Sequence, residues 1–218
     1  RIQYTDADES ITDQADVNLR MMGGNDYVEI IGGIKNFANG NRGDDRFVLR
    51  AGQKGQYLGG TGADTFEVFG GIDAYANGQK GSDQIILRGG FGQYLGGDDG
   101  DRIEVIAAVS GSSVNGNRGE DTIIGSVAGV TYRGGADADL MIVSQGDVYG
   151  DKGADTFRGV KGEGYAVIQD YSVGEDVVDL EMEGSWSRLE SGLMFTDDSG
   201  DQIMLLVGIN DIEQVTLV

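Results

Sequence analysis

The sequence predicts an all-β chain wound as a parallel solenoid, with an antiparallel cap at its C-terminal end. Three observations carry this. An aspartate recurs every 16 to 20 residues along most of the chain. A glycine-rich turn precedes each one, and apolar residues follow it at alternate positions. Between successive aspartates lies a second glycine-bounded stretch of strand character. Period-two alternation over a few residues marks a strand with one buried face, and a fixed repeat of this length marks stacked coils.

The row begins at Asp26 and continues through Asp45, Asp64, Asp83, Asp101, Asp121, Asp139 and Asp155. The clearest turn, Gly59 to Glu67, reads Gly-Gly-x-Gly-x-Asp-x-apolar-x. Two residues after each Asp stand Val28, Phe47, Phe66, Ile85, Ile103, Ile123, Met141 and Phe157. Two further on, an apolar residue stands in six of the eight copies, with Gly125 and Gly159 as gaps. The turn glycines Gly40 and Gly43, Gly59 and Gly62, Gly78 and Gly81, Gly116 and Gly119, and Gly150 and Gly153 suit a backbone that needs positive φ or close approach. In the second strand, alternation predicts Ala38, Leu58, Ala76 and Leu95 inside, with Phe37, Tyr57, Tyr75, Tyr94 and Tyr132 outside. A longer period overlies this one: Asn39-Gly40, Asn77-Gly78 and Asn115-Gly116 are each 38 residues apart, which implies duplication of a two-coil unit.

Three segments follow. Residues 1–18 are an N-terminal cap or a worn first coil. Residues 19–158 are a solenoid of about eight coils, on the order of 40 Å long at about 4.8 Å per coil. Residues 159–218 lose the repeat; Leu193 to Thr196, a turn at Asp197 to Gly200, and Gln202 to Leu206 read as a capping hairpin. No basic stretch leads into an apolar one at the N-terminus, so no signal peptide is visible; the chain starts at Arg1 rather than Met, so it is expected to be an excised or processed piece.

Composition narrows the chemistry. The chain has 39 glycines in 218 residues and no proline, cysteine or histidine. Disulfides, thiolate chemistry, zinc–cysteine sites and histidine-based catalysis are excluded. Acids outnumber bases 37 to 16, for a net charge of −21, which opposes nucleic acid or an anionic membrane as partner. No apolar run is long enough to span a bilayer. Serine and threonine have no histidine to activate them, so no enzymatic activity is expected.

Stacking the coils puts the aspartates in one row, about 5 Å apart, where bare carboxylates repel. A divalent cation between turns removes the repulsion. Calcium suits the row, being a hard ion that takes 6–8 oxygens and accepts carboxylates and backbone carbonyls together. Seven ions between eight turns would bring the charge of −21 to about −7. The turns opposite the row carry no repeating carboxylate, so calcium is expected along one edge. Acid is expected to act like a chelator. Asp99 and Asp137 replace a turn glycine, Met21-Met22 lacks its glycines near Asp26, and Asp170, Asp176 and Asp179 are candidates for one further ion.

These residues resemble the nonapeptide repeat of RTX (hemolysin-type calcium-binding) proteins, over residues 19 to 158. The resemblance implies a right-handed, calcium-loaded parallel β-roll. Val167 to Leu180 is similar to the stretch that ends such rolls, and the last part of the chain is similar to the C-termini of bacterial type I secretion substrates. One turn per coil carries the motif, which is closest to the ~19-residue variant of large calcium-dependent adhesins. Ice binding by that variant needs a regular Thr row, and here only Thr61 fits. The function implied is a secreted or cell-surface module that folds on binding calcium and supports secretion, rigidity or display of a larger protein. Two alternatives stay open: an adhesin or glycan-binding module using aromatic rows or the basic line of Arg42, Lys80, Arg118 and Lys152, or the non-catalytic C-terminal part of a secreted enzyme.

Overall fold

The computed structural model describes residues 2–3, 5–13 and 16–218, with the backbone alone for residues 2 and 3. Phe37–Arg42 and Arg46–Leu49 are the two strands of one coil; Gln56–Thr61 and Thr65–Val68 are those of the next. Each strand pairs in parallel with its counterpart one coil later, Phe37 with Gln56 and Gln56 with Tyr75 on one side, Phe47 with Phe66 and Phe66 with Ile85 on the other. The result is two facing sheets, one of thirteen strands and one of ten. The chain is a parallel β-solenoid of about nine turns with an antiparallel strand set at its end. The sharp reversal between the strands of one coil uses left-handed backbone, as at Gly43 (φ 115°), Gly62 (φ 132°) and Gly81 (φ 108°), a region that side chains beyond Cβ disfavour.

The ten-stranded sheet contributes the inward column Val28, Phe47, Phe66, Ile85, Ile103, Ile123, Met141 and Phe157, all buried. Phe47 and Phe66 stack with ring centroids 4.6 Å apart. The thirteen-stranded sheet differs from the alternation read in the sequence. Tyr57, Tyr94 and Tyr132 are buried, while Leu58 and Leu95 face outward and are half-buried. Ala38 and Ala76 are inside, with Phe37 and Tyr75 on the outer face, as the alternation predicts. The paired column therefore runs Leu19, Ala38, Tyr57, Ala76, Tyr94, Val114, Tyr132, Val148. Large and small side chains alternate coil by coil, which lets rings fill a narrow interior at native density. This is the physical content of the 38-residue period. Gly125 belongs to the same solution, because a Cβ there would collide with the Tyr132 ring.

Stacking reaches beyond residues 19–158 at both ends. Ile2–Gln3 pairs with Asn18–Arg20, and Ser10–Asp13 with Tyr27–Ile30, so the N-terminal segment makes a coil. Ala166–Ile168 and Val177–Asp179 add a further coil past Thr156–Arg158. The cap has three strands where the sequence shows two. Gly184–Arg188 pairs antiparallel with Gly192–Asp197, which pairs antiparallel with Gln202–Val207, and the last joins Ala166–Ile168 in parallel. Leu193, Phe195, Ile203, Met204 and Leu206 are buried against the core end, and Trp186 packs on Phe195. The C-terminal residues return to the other sheet, where Val178 and Thr216 are hydrogen bonded and the Tyr171 hydroxyl accepts from the Thr216 amide.

The alternating column makes a directional prediction. Ala76→Leu, between Tyr57 and Tyr94, should cost about 1–3 kcal/mol of stability through overpacking. Leu58→Ala, on the outer face, should cost less. Urea midpoints of the two variants read the order, and a larger loss from Leu58→Ala would reverse the inside–outside assignment.

Candidate metal centre

The eight aspartates from Asp26 to Asp155 form one row along one edge, and each is at most 3% exposed. The turn places each main-chain N–H against the carboxylate of the next coil. The amide of Asp45 donates to Asp64 Oδ1 at 2.8 Å, that of Asp64 to Asp83 at 2.7 Å, and that of Asp83 to Asp101 at 2.7 Å. The ladder continues through Asp121 and Asp139 to Asp155. It has two rungs that the spacing hid. The Glu9 amide donates to Asp26 Oδ1 at one end, and the Asp155 amide donates to Asp176 at the other. Asp176 lies 21 residues on and keeps only the last glycine of the turn, Gly174, so its periodic signal is weak.

The second oxygens tell a different story. Oδ2 of Asp26, Asp45, Asp64, Asp83, Asp101, Asp121 and Asp139 is buried without a hydrogen-bond partner. From Asp45 onward each points at the inward glycine five residues earlier: Gly40, Gly59, Gly78, Gly96, Gly116 and Gly134, with Gly150 in the same relation to Asp155. A Cβ on any of these glycines would run into the carboxylate. At Gly40, Gly59 and Gly116 the same point lies 2.6 Å from a glycine carbonyl oxygen of the next coil, and at Gly96 it lies 2.8 Å away. In these four coils a carboxylate oxygen and a main-chain carbonyl of the next coil converge beside the glycine Cα, in space that a side chain would otherwise fill. Gly96 and Gly134 belong to this set, although Asp99 and Asp137 spoil the glycine pattern of their turns. The second turn glycines Gly43, Gly62, Gly81, Gly119 and Gly153 serve differently: all have positive φ and lie against main-chain atoms of the preceding coil.

An all-oxygen donor set with an unpartnered carboxylate oxygen fits a hard cation. Among the described residues no three acidic side chains gather into a metal-holding cluster, so an ion here would take most of its oxygens from the main chain. Asp26 forms its rung, but the inward position matching Gly40 is occupied by the fully buried Met21, which leaves no such space in that coil. Asp99 and Asp137 adopt left-handed backbone (φ 77° and 83°) and accept the Gly81 and Gly119 amides of the preceding coil. Asp170, Asp176 and Asp179 do not converge as a separate site. Asp170 accepts the Gly150 and Asp151 amides, Asp176 is the ladder's last rung, and Asp179 pairs with Arg158 at 2.7 Å. On the opposite edge the turns are tied by parallel bridges, Ile34 to Gln53 and Gln53 to Ile72, with no aspartate ladder among the described residues. No family model, curated protein or solved structure matches the chain.

Burial pushes the row's carboxyls far above the ordinary carboxylate range. Asp26, Asp45, Asp64, Asp83 and Asp121 are pushed up to about 7, Asp101 and Asp139 to about 8, and Asp155 to about 6. Desolvation is the largest cause, opposed by the ladder's N–H bonds. This revises the expectation that acid simply acts like a chelator. A carboxyl whose folded pKa is raised favours the fold when protonated; that contribution is full near pH 4 and is lost as pH rises through about 7. A cation binds the ionised form, so its contribution grows in the opposite direction.

Two predictions follow from these signs. In chelator, the unfolding midpoint should fall as pH rises from about 4 to about 8. With calcium present, the two curves should separate above about pH 7 and meet in acid; parallel curves would rule out competition between protons and the ion. Asp83→Ala strips the acceptor from the buried Asp64 amide and should cost about 1–3 kcal/mol. Asp83→Asn keeps an acceptor and removes the cost of burying a titrating carboxyl, so near pH 6 in chelator it should be more stable than the wild type. Equal losses in both variants, measured by urea unfolding, would contradict the separate roles of the two oxygens.

Proposed function

We propose that the chain is a calcium-binding RTX-type β-roll module that folds when calcium fills the aspartate row outside the cell. The observation that carries this is the run of buried, partnerless Oδ2 atoms, which from Asp45 to Asp139 each lie against the inward glycine of their coil. A buried ionised carboxylate without a second partner is costly, and that cost recurs coil after coil at one edge. Calcium at extracellular, millimolar levels suits weak sites built largely from carbonyls, whereas a low-calcium cytosol leaves the chain unfolded and ready for export. The module then serves secretion, rigidity or surface display of a larger protein, with residues 159–218 as end cap and secretion region. It is non-catalytic. A role as the C-terminal part of a secreted enzyme fits the same reading.

A metal-free ladder is the second reading. It is favoured by the Oδ1 atoms, which already accept N–H bonds, and by carboxyls pushed up to about 7. In that case protons, not calcium, neutralise the row.

Circular dichroism of the full chain near pH 8 decides between them. Under the calcium reading the β signal is weak in chelator, appears on adding calcium, and is poorly restored by magnesium, which demands tighter octahedral geometry. A complete β signal in chelator at that pH, unchanged by calcium, would overturn it.

A further inference from the structure

We propose that the outer face of the thirteen-stranded sheet binds a linear acidic polysaccharide, gripped by amide and cationic side chains that recur on every second coil. The inference is independent of what neutralises the aspartate row. Three strands, Phe37–Arg42, Ala74–Lys80 and Ser113–Arg118, share the order Asn-Gly, an amide residue, then a cation. Register stacks them in three outward lines: Asn39, Asn77 and Asn115; Asn41, Gln79 and Asn117; Arg42, Lys80 and Arg118. The strands between them present Gly60 and Gly97 in the second line. The second line is a comb, with side-chain teeth on alternate coils and bare backbone between; in the first and third lines the intervening coils carry Leu58 and Leu95, and Thr61 and Asp98. Teeth two coils apart are separated by about 9.6 Å.

The teeth are oriented. Asn39, Asn77 and Asn115 each accept, through Oδ1, the amide two residues on, at 2.9 Å, which commits Oδ1 to the turn and leaves Nδ2 as the donor end. Asn77 Nδ2 donates to the Tyr75 hydroxyl at 3.1 Å. The second-line residues Asn41, Gln79 and Asn117 hold left-handed backbone (φ 70°, 83° and 80°) where intervening coils use glycine. Glycine takes this backbone more easily than any residue with a Cβ, so a side chain stands at a place where glycine is easier. Between the teeth runs an open groove of about 570 Å³, lined by Asn41, Gln79, Lys80, Asp98 and Asn117 among others. A second, separate hollow of about 340 Å³ lies on the same sheet beside Tyr75, Gln93 and Phe91.

The chemistry selects the occupant. Fixed amides and a half-exposed tyrosine suit hydroxyls and the C–H face of a sugar ring. Arg42, Lys80 and Lys152 make no ion pair among the described residues, although acids outnumber bases 37 to 16. Arg118 pairs loosely with Asp98, 3.6 Å away. Asp98, Asp151 and Asp170 also face this side, which disfavours a densely charged ligand. A cation on alternate coils matches one carboxylate per extended disaccharide. A nucleic acid, with a phosphate on every nucleotide, meets the molecule's net charge of −21 without that relief.

Titration calorimetry of the full, folded chain tests this with a hyaluronan octasaccharide, in which carboxylates alternate along the sugars. The wild type should bind it, and the carboxyl-reduced octasaccharide should bind more weakly. The triple variant Arg42→Gln, Lys80→Gln, Arg118→Gln should lose affinity by roughly tenfold or more, with unchanged circular dichroism. The control triple Lys35→Gln, Lys54→Gln, Arg88→Gln, off this face, should retain it. No binding by the wild type, equal loss in both triples, or tighter binding of polyglutamate or oligothymidine would overturn the proposal.

Discussion

One hydrogen bond per coil sets the geometry of this molecule: an aspartate amide donating to the carboxylate of the aspartate one coil later. A buried N–H needs an acceptor, and the tight turn brings a side-chain oxygen to it instead of a carbonyl. That choice fixes the offset between coils. It also fixes the residue, since the row is almost all aspartate, with glutamate only at the N-terminal end, where Glu9 acts through its main-chain amide. The glycine across the coil follows as a steric consequence, because the carboxylate occupies the space a Cβ would take.

The same bond creates the molecule's main electrostatic problem. Satisfying Oδ1 draws the carboxylate inside and leaves Oδ2 dry. With rungs this regular, the unpaired oxygens form a continuous strip whose neutralisation decides whether the stack is stable. Elsewhere charge is handled locally: Arg46 with Glu67 at 3.1 Å, Arg50 with Glu29, and Arg158 with Asp179 on the outer face of the ten-stranded sheet. Such exposed pairs are worth little each. The row is where protein–solvent chemistry and fold are coupled.

Much of this was legible in the residues. The aspartate period locates the coils, and the apolar alternation after each Asp locates one sheet's inner face, since Phe47, Phe66 and Ile85 are read by a simple rule. The other sheet resisted that rule. Its inward positions carry Ala38, Tyr57, Ala76 and Tyr94, so hydrophobicity alone does not separate Tyr57 from Leu58; the deciding factor is volume matched across coils, visible only once strands are paired. Gly125 looked like a lost core residue, yet its absent side chain is the room Tyr132 fills. Asp176 is a candidate ligand in the sequence, but its place as the last rung of the row is hidden by an irregular spacing. The glycines were legible as turn residues, but whether each grants a left-handed φ, as Gly62 does, or makes room for a carboxylate, as Gly59 does, depends on which way the chain faces at that point.

The alternation of Tyr and Ala along the core has a consequence for how such a rod changes length through evolution. Deleting a single coil between Ala38 and Ala76 would set two small residues face to face and open a void, and copying one would press two tyrosine rings into the same layer. Insertions and deletions that respect the interior therefore come in pairs of coils, so the molecule lengthens or shortens in steps of about 9.6 Å. A family of such rods would be expected to differ by whole multiples of 38 residues, with the outer comb kept in phase at each step.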